Sequence, residues 1–523
     1  MRTEATVSAA LAVALLLAGA VSLPAAVSTP AVPRFGTAEV VLRASQTFDS
    51  RQGSPNPFDV TLTATVTAPS GKIYQADGFF DGDGAGGPVG NVFKVRIYAA
   101  ETGTWSWSTA SSRAELAGRT GTFTCAGTLP GPFASGPLAV NPRRPHTFRY
   151  QEGRPVYLVG KFLDLAAPPV LQYSHTFFSE QLTEADRQAF LDRHLGMGLN
   201  KINLYLANHG DYDGVATTPW VGVKGANDKR RFDLARWHMY ERWLRRLRDA
   251  GLLAHLWFFA DDSGFGDLPD ADRQRLVRYG MARLSGEVHT LFTLALEWQE
   301  GWTPAEVQSH SNFLQQHNPW DRLVSVHGVP GPFDFPAAPW ADYMDVQAGN
   351  EVGPSAVYAA GVLNRALAAK PLIQEEFGLG REVAEERRKA WAAFLSGAAG
   401  SGTGAFLRPL AQFTNSIQFQ RLAPAPTVVL AGGAWALAAP GETYVLYLHD
   451  GGTVQVSLLG VSGTFEAEWF DPRRGTFTRG ADVQGGGIRS FTAPGSGDWT
   501  LLLHRPAPPP APVPAHFHTL RPC

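Results

Sequence analysis

Between Arg154 and about residue 423 the chain repeats one pattern, an apolar strand-like run followed by a stretch of helical character. The runs are Pro155–Gly160, Asn200–Leu206, Leu252–Phe259, Thr290–Trp298, Leu323–Gly328, Met344–Gly349, Pro371–Gly378 and Gly404–Leu410. Helices belong between most of them. Trp237, Tyr240, Leu244 and Leu247 recur at three- and four-residue spacing, behind a cap at Asp233 and ahead of Gly251. Thr303-Pro304 opens another helix with a capping hydroxyl and a proline at the first helical position. Strands that are apolar along their whole length are covered on both faces, and strands followed by helices build a parallel sheet. Eight such units close into a (β/α)8 TIM barrel, here spanning 141–423. An open doubly wound sheet is the competing topology, but no glycine-rich phosphate fingerprint follows any run.

The flanks keep a period of two. Val60–Val66 alternates, Pro69-Ser-Gly71 turns, and Phe93–Tyr98 and Thr104–Ser108 alternate again before Gly121–Cys125. Short strands with glycine-rich turns predict an N-terminal β-sandwich over 35–140. A smaller C-terminal β-sandwich is expected over 424–505, from Tyr444–Leu448, Val454–Leu458, Phe465–Trp469 and Trp499–Leu503. Residues 506–523 form a Pro-rich tail. The chain is therefore expected to be multi-domain, a central TIM barrel between two β-sandwiches.

At the start, an apolar run from Ala5 to Leu23 leads to Ala26-Val27-Ser28, a small-residue cleavage pattern. This predicts a signal peptide over 1–28 and a secreted, periplasmic or cell-surface protein with no membrane contact after its removal. A retained anchor is the alternative. The two cysteines, Cys125 and Cys523, have no metal-ligand spacing. Lysine plus arginine (45) nearly balance aspartate plus glutamate (47), so no nucleic-acid partner is expected. A neutral partner fits, and 14 Trp with 13 Tyr offer the flat apolar faces that carbohydrate uses. Oligomeric state is not legible.

Active-site groups of such a barrel project from the C-terminal ends of its strands. The fourth run ends Leu294-Ala-Leu-Glu-Trp-Gln-Glu300 and the seventh Ile373-Gln-Glu-Glu-Phe-Gly378. Hydrolysis of a glycoside needs two carboxyls flanking the bond, one to protonate the leaving oxygen and one to attack carbon or activate water. Gln299-Glu300 and Glu376-Phe377-Gly378 resemble the strand-four and strand-seven ends of clan A retaining glycoside hydrolases. Asn56-Pro-Phe58, Gly78-Phe-Phe-Asp81 and the Trp105/Trp107 strand look like the domain of unknown function that precedes many such barrels. Trp469–Gly475 and Gly497–Leu503 look like a C-terminal sandwich named in relatives for collagen binding. The resemblance implies Glu300 as acid/base and Glu376 as nucleophile. Two positions depart from it: Gln299 stands where the clan has asparagine, and Asn203 where strand two usually carries arginine.

Side chains alternate along a strand, so Glu297 and Glu300 should face different ways, as should Glu375 and Glu376. The position where strand meets loop favours Glu300 and Glu376. Tyr205, His209, Trp257, Asp261, Gln299, Trp302, His327 and Gln347 are candidate sugar contacts at the strand mouths, whereas His255, in mid-strand, reads as a core histidine. His209 with Asp211, or Asp261 with Asp262, are the candidate metal ligands, but no H-E-x-x-H or comparable cluster occurs, which favours hydrolysis without a metal or cofactor. A carbohydrate- or matrix-binding protein on an inactive barrel is the reading from another class.

Overall fold

The computed structural model describes residues 27–28, 31–160, 174–208, 216–260, 265, 268–349, 352–377, 383–402 and 407–506. The expected leader up to Ala26 and the tail beyond Pro506 lie outside them, while Val27-Ser28 pairs in parallel with the strand Thr120–Thr128.

In the N-terminal domain the antiparallel path runs Thr120–Thr128, Gly103–Ser111, Leu62–Thr67, Ile73–Phe80, Val89–Tyr98, Thr37–Asp49. One strand serves two layers. Ile73–Asp77 pairs with Leu62–Thr67, and Gly78–Phe80 pairs with Val89–Tyr98. The switch falls at Gly78, where a Cβ would lie 2.4 Å from Leu62 Cδ2, so only glycine lets the layers approach. The alternation read from Thr104–Ser108 holds: Trp105 and Trp107 are buried, and Trp105 stacks on Phe123 at 5.7 Å.

Among the described residues the central domain contains eight parallel strands: β1 (Leu158–Val159), β2 (Lys201–Tyr205), β3 (Leu253–Phe259), β4 (Thr290–Ala295), β5 (Val324–Ser325), β6 (Met344–Gln347), β7 (Leu372–Glu376) and β8 (Gly400–Ser401). They form two four-stranded sheets, ordered β2-β3-β4-β5 and β1-β8-β7-β6. A parallel bridge between His327 and Asp345 joins the end of β5 to β6. On the other side Asn200 N donates to Val159 O at 3.0 Å, and Val159 N to Asn200 Oδ1 at 2.8 Å. Seven helices accompany the strands: α1 (Glu184–Gly196), α2 (Leu234–Asp249), α3 (Asp270–Leu284), α4 (Pro304–Gln316), α5 (Pro354–Arg365), α6 (Val383–Leu395) and α7 (Leu407–Ser416), counted among the described residues. The caps lie where the sequence placed them. Asp233 accepts from Arg236 N, and Thr303 forms a reciprocal capping box with Glu306.

Several strand boundaries differ from expectation: in the first run only Leu158–Val159 joins the parallel sheet, while Pro155–Val156 pairs antiparallel with Phe148–Tyr150. The eighth strand is Gly400–Ser401 rather than Gly404–Leu410; residues 403–406 lie outside the described set and Leu407 already begins α7. Leu407, Leu410, Phe413 and Thr414 recur at helical spacing and are buried together, which a strand cannot do. The fourth strand stops at Ala295, short of Trp298, because Trp298–Glu300 winds into a 3-10 turn.

A buried ion network joins the N-terminal domain to α2 and α3. Arg96 forks onto Glu241 at 2.8 and 2.9 Å, Arg283 Nε reaches Glu241 at 2.5 Å, and Arg283 Nη1 lies 2.9 Å from Asp81. In the C-terminal domain Ala436, Leu446, Val454, Val456, Phe465 and Leu501 pack between two sheets. The outer face of the larger sheet, with Leu437, Val445, Tyr447, Phe470 and Leu502, packs on Trp391, Phe394 and Phe413 of α6 and α7. Burial on both faces explains why Tyr444–Leu448 is apolar without alternation. No helix among the described residues is long and apolar enough to cross a membrane.

Candidate active site

Residue by residue, β4 delivers a carboxylate in a way its sequence does not announce. After Ala295 the backbone bends, and Glu297 takes the left-handed conformation, φ 38° and ψ 51°. For a non-glycine residue this costs roughly 1–2 kcal/mol, and such strain concentrates at functional sites. Strand alternation therefore ends before Glu297. Its Oε1 accepts a hydrogen bond from Gln347 Nε2, at the end of β6, and Gln347 is buried.

β7 brings the second carboxylate through a bulge. Val346 pairs with Gln374, but the next β6 residue, Gln347, pairs with Glu376, so Glu375 is an extra residue on β7. Gln374 faces the helices, donating to Val357 O (3.3 Å) and Ser396 Oγ (3.2 Å). Glu375 faces the opposite way, bonded to β2 and β3. On a regular strand Glu376 would share the helix-facing side of Gln374. The bulge shifts that parity and sets Glu376 level with Gln347, which in turn holds Glu297. Glu297, Gln347 and Glu376 are thus contiguous at one end of the parallel strands.

Beneath them lies a buried polar network. Lys201 Nζ lies 2.5 Å from Glu375 Oε1 and 2.6 Å from Asn203 Oδ1, and Asn203 Nδ2 donates to Glu375 Oε2 at 3.2 Å. Burial alone would raise the Glu375 carboxyl, but the Lys201 charge and the His255 hydrogen bond outweigh it and hold the group ionised, below the usual carboxylate range. Burial, assisted by the Lys201 charge against the pull of Glu375, lowers His255 to about 4. The ring is then neutral at pH 7, donating from Nδ1 to Glu375 (3.1 Å) and accepting at Nε2 from the Tyr343 hydroxyl (2.8 Å). Asp345, buried and repelled by Glu375, is raised well above its ordinary value; its Oδ2 lies 2.9 Å from Thr293 Oγ1.

His255, Asp345 and Glu375 have ligand atoms within 4.8 Å of one another. They do not fit a resident metal, because the Lys201 ammonium already bonds Glu375 and would oppose a second cation there.

The remaining expected site residues divide. Tyr205 and Trp257 are buried beside one another at 5.2 Å between ring centroids, and Trp257 lies 5.2 Å from His327. His327 is fully buried and lowered by that burial to about 3. Trp257 Nε1 and both His327 nitrogens have no hydrogen-bond partner among the described residues. Glu300 lies exposed on the 3-10 turn, its N–H donating to Glu297 O. Gln299, also exposed, bonds Asp334 (2.7 Å) and the Val329 N–H (3.0 Å). Trp302 packs against Phe259, with the Arg273 guanidinium 4.3 Å above its ring. Gln299 and Trp302 thus tie the turn to its neighbours. His209 and Asp261 lie outside the described residues. Sequence reasoning passed over Lys201 and Asp345, whose only signal is a charge inside an otherwise apolar run.

Residues 31–112 match the family model described as "Domain of unknown function (DUF5060)", and residues 433–504 match "Putative collagen-binding domain of a collagenase". Among curated proteins none matches the sequence. A crystal structure of a "putative glycoside hydrolase" from Bacteroides vulgatus superposes over 91% of this chain and 99% of that one, with 19% identity and a TM-score of 0.73. A glycoside hydrolase family 5 structure from the same organism covers 71% of this chain and 94% of its own, with 13% identity and a TM-score of 0.58. The fold is one shared with glycoside hydrolases. At these identities the likeness is one of fold, and the two flanking families are those the sequence resembled.

Proposed function

We propose that the chain is an exported retaining glycoside hydrolase, a (β/α)8 barrel (141–423) between β-sandwiches at 35–140 and 424–505, cleaving O-glycosidic bonds of an oligo- or polysaccharide. The strand path supports the closed barrel, since the pairing and the two junction contacts lead from β1 round to β1. One observation carries the activity: Glu297, Gln347 and Glu376 side by side at one end of the parallel strands.

In this reading Glu376 is the nucleophile. Its carboxylate attacks the anomeric carbon while the leaving oxygen takes a proton from the acid/base, and the glycosyl-enzyme ester forms as the C–O bond breaks. The acid/base then removes a proton from water, which displaces Glu376. The acid/base role falls to Glu297 rather than Glu300, because Glu297 is held by Gln347 whereas Glu300 lies exposed one turn further on. Retention calls for carboxyl groups roughly 5–5.5 Å apart. Tyr205 and Trp257 are too buried to offer a face to a sugar ring; hydrolysis by two carboxyls uses water and no cofactor. The apolar run Ala5–Leu23 and the small residues that follow it support export from the cytoplasm.

The test is chemical. On an aryl-glycoside turned over by the parent protein, Glu376→Ala loses turnover, and added azide restores it with a glycosyl azide of inverted configuration. If Glu376→Ala hydrolyses that substrate at the parental rate, the reading is wrong; if the parent hydrolyses no aryl-glycoside or polysaccharide, a binding role replaces it.

A further inference from the structure

Glu375 and Glu376 are adjacent carboxylates on one bulge, and only Glu376 stands level with Gln347. Glu375 is anchored from three strands. Lys201 and Asn203 hold it from β2 and His255 from β3, while the exit of β8 closes over it, a Cβ on Gly402 falling 1.8 Å from Glu375 Oε2 and 2.5 Å from its backbone. Lys201 is 0% exposed and Glu375 1%. Stability does not require such a pair, because desolvating two charges offsets most of their attraction and apolar residues of the same shape serve as well. What an apolar pair would not supply is a fixed polar anchor for the extra residue of the bulge, with its charge cancelled next to a second carboxylate.

We propose that Lys201 and Glu375 are positioning residues, a buried pair that fixes the bulge of β7 and thereby aims Glu376. The inference rests on Glu376 being the nucleophile. Lys201 acts through Glu375: it neutralises the carboxylate neighbouring Glu376 and pulls the bulged backbone toward β2. Glu375 cannot swing toward the site, since Gly402, Asn203 and His255 enclose it.

Four variants, Lys201→Met, Lys201→Arg, Glu375→Gln and Lys201→Met/Glu375→Gln, are assayed beside Glu376→Ala on an aryl-glycoside that the parent turns over. Misaimed reacting atoms show in kcat, so Lys201→Met lowers kcat about 100-fold with KM within about threefold. Lys201→Arg, which keeps the charge, recovers kcat to within about tenfold of the parent. The double variant leaves no unpaired buried charge, so it melts near the parent, yet its kcat stays about 100-fold down. It keeps the test open where Lys201→Met alone fails to fold. The inference is overturned if the double variant folds and turns over at the parental rate while Glu376→Ala is inactive. Parental turnover by Glu376→Ala instead overturns the nucleophile assignment beneath it.

Discussion

Gln347 ties the two proposed catalytic carboxylates together: its amide donates to Glu297, and in the β6–β7 ladder it is the register partner of Glu376. One residue thus links the ends of β4 and β7, which lie far apart in the sequence, by its side chain to the first and by strand pairing to the second. The spacing of the pair depends on a strained residue and a bulge, both local departures from regular strand geometry.

Glu297→Ala should therefore behave as loss of the general acid. Turnover of substrates with poor leaving groups falls about 10²–10⁴-fold, and activated aryl-glycosides are affected much less, because they depart without protonation. Glu300→Ala should stay within about threefold of the parent on both. Steady-state rates across a leaving-group series decide it, and the opposite ranking would return the role to Glu300.

The interdomain ion network makes a stability prediction. Arg283→Met leaves Glu241 and Asp81 short of a buried cation and should cost about 3–5 kcal/mol. Thermal unfolding of the variant should begin earlier than in the parent, with the N-terminal domain losing protection first in hydrogen exchange. An unchanged melting profile would show that the network contributes nothing to docking.

Acid sensitivity follows from buried histidines. His289 is fully buried and lowered by that burial to about 3, in line with His327 at about 3 and His255 at about 4. The unfolded chain takes up these protons below about pH 6.5 and the folded one does not, so their contribution is complete above about 6.5 and lost as pH falls toward 4. His289→Leu should flatten the stability–pH curve in that window by up to about 1.4 kcal/mol per pH unit. Denaturant titrations at pH 7, 5.5 and 4.5 measure it, and equal slopes would refute the neutral buried ring.

Gly402→Ala drives a methyl group into Glu375, whereas a Cβ at Gly353 meets nothing within 4 Å. The first should lose about 1–3 kcal/mol and reduce turnover, and the second should change stability by less than about 0.5 kcal/mol. Paired melting curves and rates test both.

Much of the architecture was legible in the chain. Apolar runs marked seven of the eight central strands, Thr303-Pro304 and Asp233 marked helix starts, and the Trp105/Trp107 alternation marked the N-terminal sheet, because periodicity and capping act over a few residues. The eighth strand escaped, since two residues, Gly400 and Ser401, carry no period and are defined by pairing with β1 and β7. The direction of the carboxylates escaped for the same reason. Alternation holds only while a strand is regular, and Glu297 leaves it through a left-handed turn while Glu375 interrupts it as a bulge. The sequence by itself determined which carboxylates reach the ends of β4 and β7. Only the tertiary structure decided which of them Gln347 connects, because register between strands distant in the chain is set by packing across the whole sheet.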